Sequence, residues 1–154
     1  MVEAKEVYNP DEKSTICNDT LRALPNWFGV ESSIVGYTKQ VKTQPFFAAF
    51  ENGKAVGFVA IKVHNPSTSE VCVMGILKDY HRQGIGKKLI ECCVEYCKEN
   101  KMEFLTVKTL DESKKDANYE KTRLFYLAAG FRPIEVFPLF WDENNPCLLM
   151  AKCT

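Results

Sequence analysis

In the run Lys78-Asp79-Tyr80-His81-Arg82-Gln83-Gly84-Ile85-Gly86-Lys87-Lys88-Leu89, two glycines one residue apart stand among cations, between an apolar run and a helical pattern. These residue types suit the capture of a phosphate or diphosphate. Successive backbone N–H groups in a glycine turn can converge on one point, and a helix start adds partial positive charge there. Glycine serves because a side chain would block close approach and because such turns use positive φ. Arg82, Lys87 and Lys88 add charge. A Walker A loop would need Gly at position 81 and Ser or Thr at 88, where His81 and Lys88 stand. A dinucleotide fingerprint would need a small residue at 89, where Leu89 stands.

The elements that must hold this loop can be read from hydrophobic period. Glu70-Val71-Cys72-Val73-Met74-Gly75-Ile76-Leu77 is an apolar run of strand length, read as buried on both faces. Ile85, Leu89, Ile90, Val94 and Cys97 then recur at helical spacing, predicting about four turns from the second glycine. Upstream, β-rich runs flank Asn52-Gly53, the signal of a tight hairpin. A weak first strand precedes a helix from Asp11, with Ile16, Leu21 and Leu24 buried and Pro25 as its stop. A loop carrying Trp27 and Phe28 leads to a short helix through Ile34, Val35 and Tyr37. Residues 103–110 form another strand, 111–121 a polar connection, and 122–131 a helix closing on Gly130, which suits the left-handed position past a helix end. Two last strands flank a loop at 141–145. The order is mixed α and β.

Composition narrows the partners. The 154 residues suffice for one domain, 1–154, and the twenty basic and twenty acidic residues cancel. Neither nucleic acid nor a membrane surface is an expected partner. Glu91 and Glu95, on the helix that follows the basic loop, argue further against nucleic acid. Seven cysteines, an odd count, and an N-terminus without an apolar signal core point to a reduced, cytoplasmic chain. The cysteines read as core, with Cys93 and Cys97 on one face, and the two histidines lack ligand spacing, so no metal is expected.

Here the residues resemble a known family. His81-Arg82-Gln83-Gly84-Ile85-Gly86 after an apolar strand resembles the acyl-CoA pyrophosphate loop of the GCN5-related N-acetyltransferases, Gln/Arg-x-x-Gly-x-Gly/Ala. Residues 122–134 resemble that family's later helix and strand, with an aromatic-Tyr pair followed by Gly-Phe. The resemblance implies an α/β (α+β) fold, a mixed, mostly antiparallel twisted central sheet flanked by helices. It also implies direct attack of a primary amine on bound acetyl-CoA, the cosubstrate. His81 departs from the pattern. Because the loop works through main-chain N–H groups, that departure predicts weaker rather than absent binding, with His81 itself a solvated loop residue.

On this resemblance the diphosphate sits on Arg82, Gln83, Gly84, Ile85, Gly86 and Lys87, and the pantetheine arm runs along Met74, Gly75, Ile76 and Leu77. A main-chain N–H near Met74 or Gly75 holds the thioester oxygen, and Gly75 reads as a bulge or a point of close ligand approach. Tyr126 stands where the family places the acid that protonates the leaving thiolate, with Tyr119 the weaker candidate. Glu70, fourteen residues before Gly84, resembles the catalytic glutamate of the histone-acetylating branch. A base matters most for a lysine-type amine, which is neutral about once in 2,500 molecules at pH 7, a deficit of roughly 4.6 kcal/mol. An α-amino group loses only about 1 kcal/mol. A water relay is the alternative to Glu70. The resemblance sets the acceptor between Trp27, Phe28, Glu31 and Tyr37 on one side and Phe140, Trp141, Asp142 and Glu143 on the other. Aromatic faces with carboxylates suit a cationic amine. Small amines, aminoglycoside-like amines and peptide termini stay open as acceptors, as do a homodimer and a non-catalytic acyl-CoA-binding module. No unpaired apolar stripe is expected to demand the dimer.

Overall fold

The computed structural model describes residues 1–154. Its seven strands form one sheet in the order β1-β2-β3-β4-β5-β7-β6. These are β1 (Val2–Glu6), β2 (Phe46–Glu51), β3 (Lys54–Asn65), β4 (Thr68–Ile76), β5 (Phe104–Leu110), β6 (Arg132–Asp142) and β7 (Asn145–Cys153). Four helices cover it: α1 (Pro10–Arg22), α2 (Glu31–Gln40), α3 (Ile85–Glu99) and α4 (Ala117–Ala128). One core lies between the sheet and α3 and α4, and contains Ile85, Leu89, Val71, Val107 and Tyr126. On the other face, α1 and α2 pack Ile16, Leu21 and Ile34 against Phe46, Phe58 and Val73.

Local chemistry accounts for most boundaries. Asn9 caps α1 by accepting the N–H groups of Asp11 and Glu12 at 2.9 and 3.0 Å. Asn52 and Gly53 take φ of 52° and 78°, the left-handed pair that closes β2 onto β3. Three boundaries differ from expectation. Helix α3 starts at Ile85, one residue before the expected Gly86, because Gly84 at φ 78° serves as the N-cap. Helix α4 starts at Ala117 rather than Thr122, because Asp116 accepts the N–H groups of Asn118 and Tyr119. Strand β6 runs to Asp142, so the expected loop is a tight turn at Glu143 and Asn144.

Every neighbouring pair is antiparallel except β4 and β5, which run parallel and pair from Thr68↔Phe104 only as far as Val71↔Val107. Beyond that point β4 is held only by β3, and β5 only by β7. A gap opens between two strands in the middle of the sheet. Strand β4 also bulges at this point: Val71 pairs with Ile61 and Val73 with Ala60, leaving Cys72 extra. The bulge turns Val73 toward α1, while Met74 and Ile76 pack on the α3 side. Burial along β4 therefore alternates, rather than being complete on both faces. Gly75 is not the bulge, since it pairs with Phe58, and it answers to close packing instead: a Cβ there would lie 3.1 Å from Thr20 and 3.2 Å from Leu24 on the α1 side.

Edge strand β6 exposes Ile134, Val136, Leu139, Phe140 and Trp141, contrary to the expectation that no apolar stripe is left unpaired. No helix is long and apolar enough to cross a membrane. All seven cysteines are free. Burial pushes the Cys17 thiol up to about 12 and the Cys93 thiol well above its ordinary range. Both pKa values are raised by folding, so the stability they contribute is complete below the unfolded thiol value of about 8.5 and declines as pH rises toward the folded value. Melting temperature is expected to fall between pH 9 and 11, and Cys17→Ala should flatten that decline while lowering the neutral-pH value. An unchanged slope in the variant would assign the alkaline loss to other groups.

Candidate active site

The gap between β4 and β5 is the floor of a cleft of about 1040 Å³, walled by the loop after α1, by Tyr37 of α2, by the Gly84 loop and by α4. At its far end the loop offers a set of unused donors. The first backbone hydrogen bond inside α3 runs from the Lys88 N–H to the Gly84 carbonyl, and no side chain caps the helix. The N–H groups of Ile85, Gly86 and Lys87 therefore have no protein acceptor. Arg82 at φ 62° and Gly84 at φ 78° curl the chain around them. A Cβ on Gly84 would meet nothing within 4 Å, so that face is open, whereas one on Gly86 would lie 2.7 Å from the Phe125 ring. The first glycine leaves room for a ligand and the second for α4.

The loop is braced from three sides. Tyr80 donates to Glu51 Oε1 at 3.0 Å, Gln83 Nε2 to the Asp79 carbonyl at 3.1 Å, and His81 Nε2 to the Ile76 carbonyl at 2.7 Å. His81 also meets the Trp27 ring edge-on at 5.7 Å. It is exposed, as expected of a solvated loop residue, and also a strut between the loop, β4 and the segment after α1. Lys88 leaves the loop and donates to the Val2 carbonyl, so of the three expected cations only Arg82 and Lys87 line the cleft.

Alternation along β4 sorts the expected cofactor residues. The Leu77 N–H bonds to the Val56 carbonyl. Residues 75 and 73 share that side, so the Gly75 N–H faces β3 and is not free for a thioester oxygen. Met74 and Ile76 turn their main-chain groups to the open edge. Met74, Gly75, Ile76, Arg82, Gly84, Ile85, Gly86 and Lys87 line the cleft, whereas Leu77 and Gln83 do not.

Tyr126 comes up from α4 into the same cleft, a buried residue whose ring meets those of Phe125 and Phe131 edge-on. Burial, with smaller contributions from Cys93 and Tyr119, raises its pKa well above the ordinary phenol value. Its hydroxyl stays protonated through any physiological pH. Tyr119 lines the cleft too, but donates to the Trp27 carbonyl at 3.0 Å. Glu70 lies outside the lining: its Oε1 is bonded to Lys108 Nζ at 2.9 Å and to His64 Nε2 at 2.6 Å.

On the acceptor side Trp27, Phe28, Tyr37 and Trp141 line the cleft as expected. The carboxylates do not. Glu31 points away, in a two-pronged pair with Arg22 at 2.8 Å that holds its carboxyl below the usual range. Asp142 accepts the Asn145 side chain and the Asn144 N–H, and Glu143 is exposed. Two residues escaped sequence reasoning. Lys108 lines the cleft, and Thr109 lines it with a buried hydroxyl that has no partner in the protein. The polar alternation of Thr106 and Lys108 within an apolar strand was the available signal.

Residues 42–133 match the acetyltransferase (GNAT) domain family. The chain belongs to the GNAT acetyltransferases. No curated protein matches in sequence. Among solved structures, a protein assigned to this family from Desulfovibrio desulfuricans superposes with a TM-score of 0.83 at 14% identity, covering 98% of both chains. An aminoglycoside 6'-N-acetyltransferase complexed with coenzyme A gives 0.76 at 17%, covering 99% of this chain and 96% of that one. The ribosomal-protein-S18-alanine N-acetyltransferase of Escherichia coli gives 0.76 at 15%, covering 99% and 94%. The fold that this chain shares with them is mixed α/β, here a seven-strand sheet flanked by four helices.

Proposed function

We propose that this GNAT protein moves an acetyl group from acetyl-CoA to a primary amine by direct attack within a ternary complex. The observation that carries the reading is the alignment, along one cleft, of unused loop N–H groups, a free β4 edge and the protonated Tyr126 phenol. Acetyl-CoA fits those features. Its diphosphate would take the N–H groups around Gly84 with Arg82 and Lys87 alongside, and its amide arm would add to β4 at Met74 and Ile76 as an extra strand does. His81 already donates to the Ile76 carbonyl, so the arm would share that oxygen through its second lone pair.

The acyl donor supplies an activated carbonyl: the amine lone pair forms the C–N bond, the C–S bond breaks, and the sulfur leaves with the electron pair. The Met74 N–H, rather than that of Gly75, would receive the charge developing on the carbonyl oxygen. Tyr126 would donate to the departing sulfur. The amine proton would pass through water toward Glu70, whose carboxylate lies just beneath the cleft beside Lys108.

Calorimetric titration with acetyl-CoA, using ATP and NADPH as controls, tests the first link, and thiol release with amines tests the second. Selective micromolar binding with turnover supports the reading, binding without turnover under any amine reduces it to an acyl-CoA-binding module, and absence of binding removes it. Glu70→Gln is expected to move the acidic limb of the kcat/KM profile while leaving acetyl-CoA affinity intact. An unchanged limb would transfer the proton to solvent alone.

A further inference from the structure

The cleft has a charge pattern that its sequence environment conceals. Lys78, Arg82, Lys87, Lys108 and Lys121 line it, and no Asp or Glu does. Four of these cations stand toward the phosphate loop or on α4. Lys108 is different, because it follows directly on Val107, where β4 and β5 part, and points opposite to Val107, onto the α1–α2 face. That is the face on which Trp27, Phe28 and Tyr37 gather. Its ammonium lies 2.9 Å from Glu70 Oε1 and 5.1 Å over the Phe140 ring. Only one of its three N–H donors is needed for Glu70, whose same oxygen His64 also engages.

We propose that the acceptor is an amine that also carries a carboxylate on an apolar body, an amino-acid-like molecule, and that Lys108 receives the carboxylate. The inference rests on the acetyltransferase reading above and narrows its substrate class. Glu70 offsets much of the Lys108 charge, so what the ammonium offers an incoming carboxylate is its two remaining N–H donors, in a cleft whose other charged lining residues are all cations. It therefore binds the carboxylate end, and the amine end is left to lose its proton through water toward Glu70. A polyamine or aminoglycoside would bring several cations to a cleft lined by five others, where the nearby carboxylate, Glu70, is already paired with Lys108 and His64. The aromatic side chains would take the apolar body.

The test compares kcat/KM for phenylalanine, tryptophan, methionine and leucine with that for their decarboxylated counterparts and for spermidine, in the unaltered protein, Lys108→Met and Lys108→Arg. At least one amino acid is expected to exceed its decarboxylated partner by about tenfold or more, with spermidine the poorest. Lys108→Met should erase that ratio and Lys108→Arg should retain it. Amine basicity cancels, since the same pair is compared in each protein. Preference for the decarboxylated amines or spermidine, no amino acid acetylated, or a ratio that survives Lys108→Met would each overturn the proposal. Acetyl-CoA titration of the same preparations separates the two levels: loss of that binding in the unaltered protein sinks the acetyltransferase reading, whereas binding without this preference sinks only the substrate class.

Discussion

Gly84→Glu is expected to abolish acetyl-CoA binding while the protein stays folded. A side chain at Gly84 projects into open space, so the fold loses only what a left-handed backbone costs a non-glycine residue, about 1–2 kcal/mol. The ligand loses much more. A carboxylate about 4 Å from one phosphate charge at an effective dielectric near 20 costs about 4 kcal/mol, roughly a thousandfold in Kd. Gly84→Ala carries the backbone strain without the charge and should weaken binding by no more than about tenfold. Calorimetry on both variants, with melting curves to confirm folding, reads the difference. Native affinity in Gly84→Glu would remove the diphosphate from this loop.

The parts of the site that sequence revealed are those set by neighbours in the chain. Asn52-Gly53 closes its hairpin through its own dihedrals, and the Gly84 loop stands directly before a stripe of Ile85, Leu89 and Cys93 that only a helix can bury. The cleft itself was not legible. It exists because parallel pairing stops at Val71 and Val107, and no local preference marks where two strands 36 positions apart cease to pair. Side-chain partners chosen across space were hidden for the same reason. Glu31 looks like an acceptor ligand until Arg22, nine positions back, is seen to take both its oxygens. Lys108 looks like a solvated strand residue until Glu70, 38 positions away, is found beneath it. The start of α4 was hidden because residues 111–121 form one polar run, inside which Asp116 caps the helix.

Tyr126→Phe is expected to lower kcat by about a hundredfold and leave acetyl-CoA affinity and folding nearly unchanged. The ring packs between Phe125 and Phe131, and phenylalanine keeps those contacts. What disappears is one hydroxyl at the cleft, and a positioned proton donor contributes about 10²–10⁴-fold. The free thiol of the product ionises near 8.5, below the ordinary phenol value, which makes full proton transfer to exposed sulfur unfavourable. A thiolate forming in the same buried surroundings would be destabilised as the Tyr126 phenolate is, so donation to it would strengthen as the C–S bond breaks. The pH profile separates this role from packing. Since the Tyr126 pKa lies above the ordinary value of about 10, kcat should show no alkaline fall below pH 10 that this residue causes. Steady-state kcat, single-turnover rate and acetyl-CoA Kd, measured on one preparation, would show the chemical step slowed at constant affinity. A native single-turnover rate in Tyr126→Phe would leave the sulfur to be protonated by water and reduce Tyr126 to part of the α4 core.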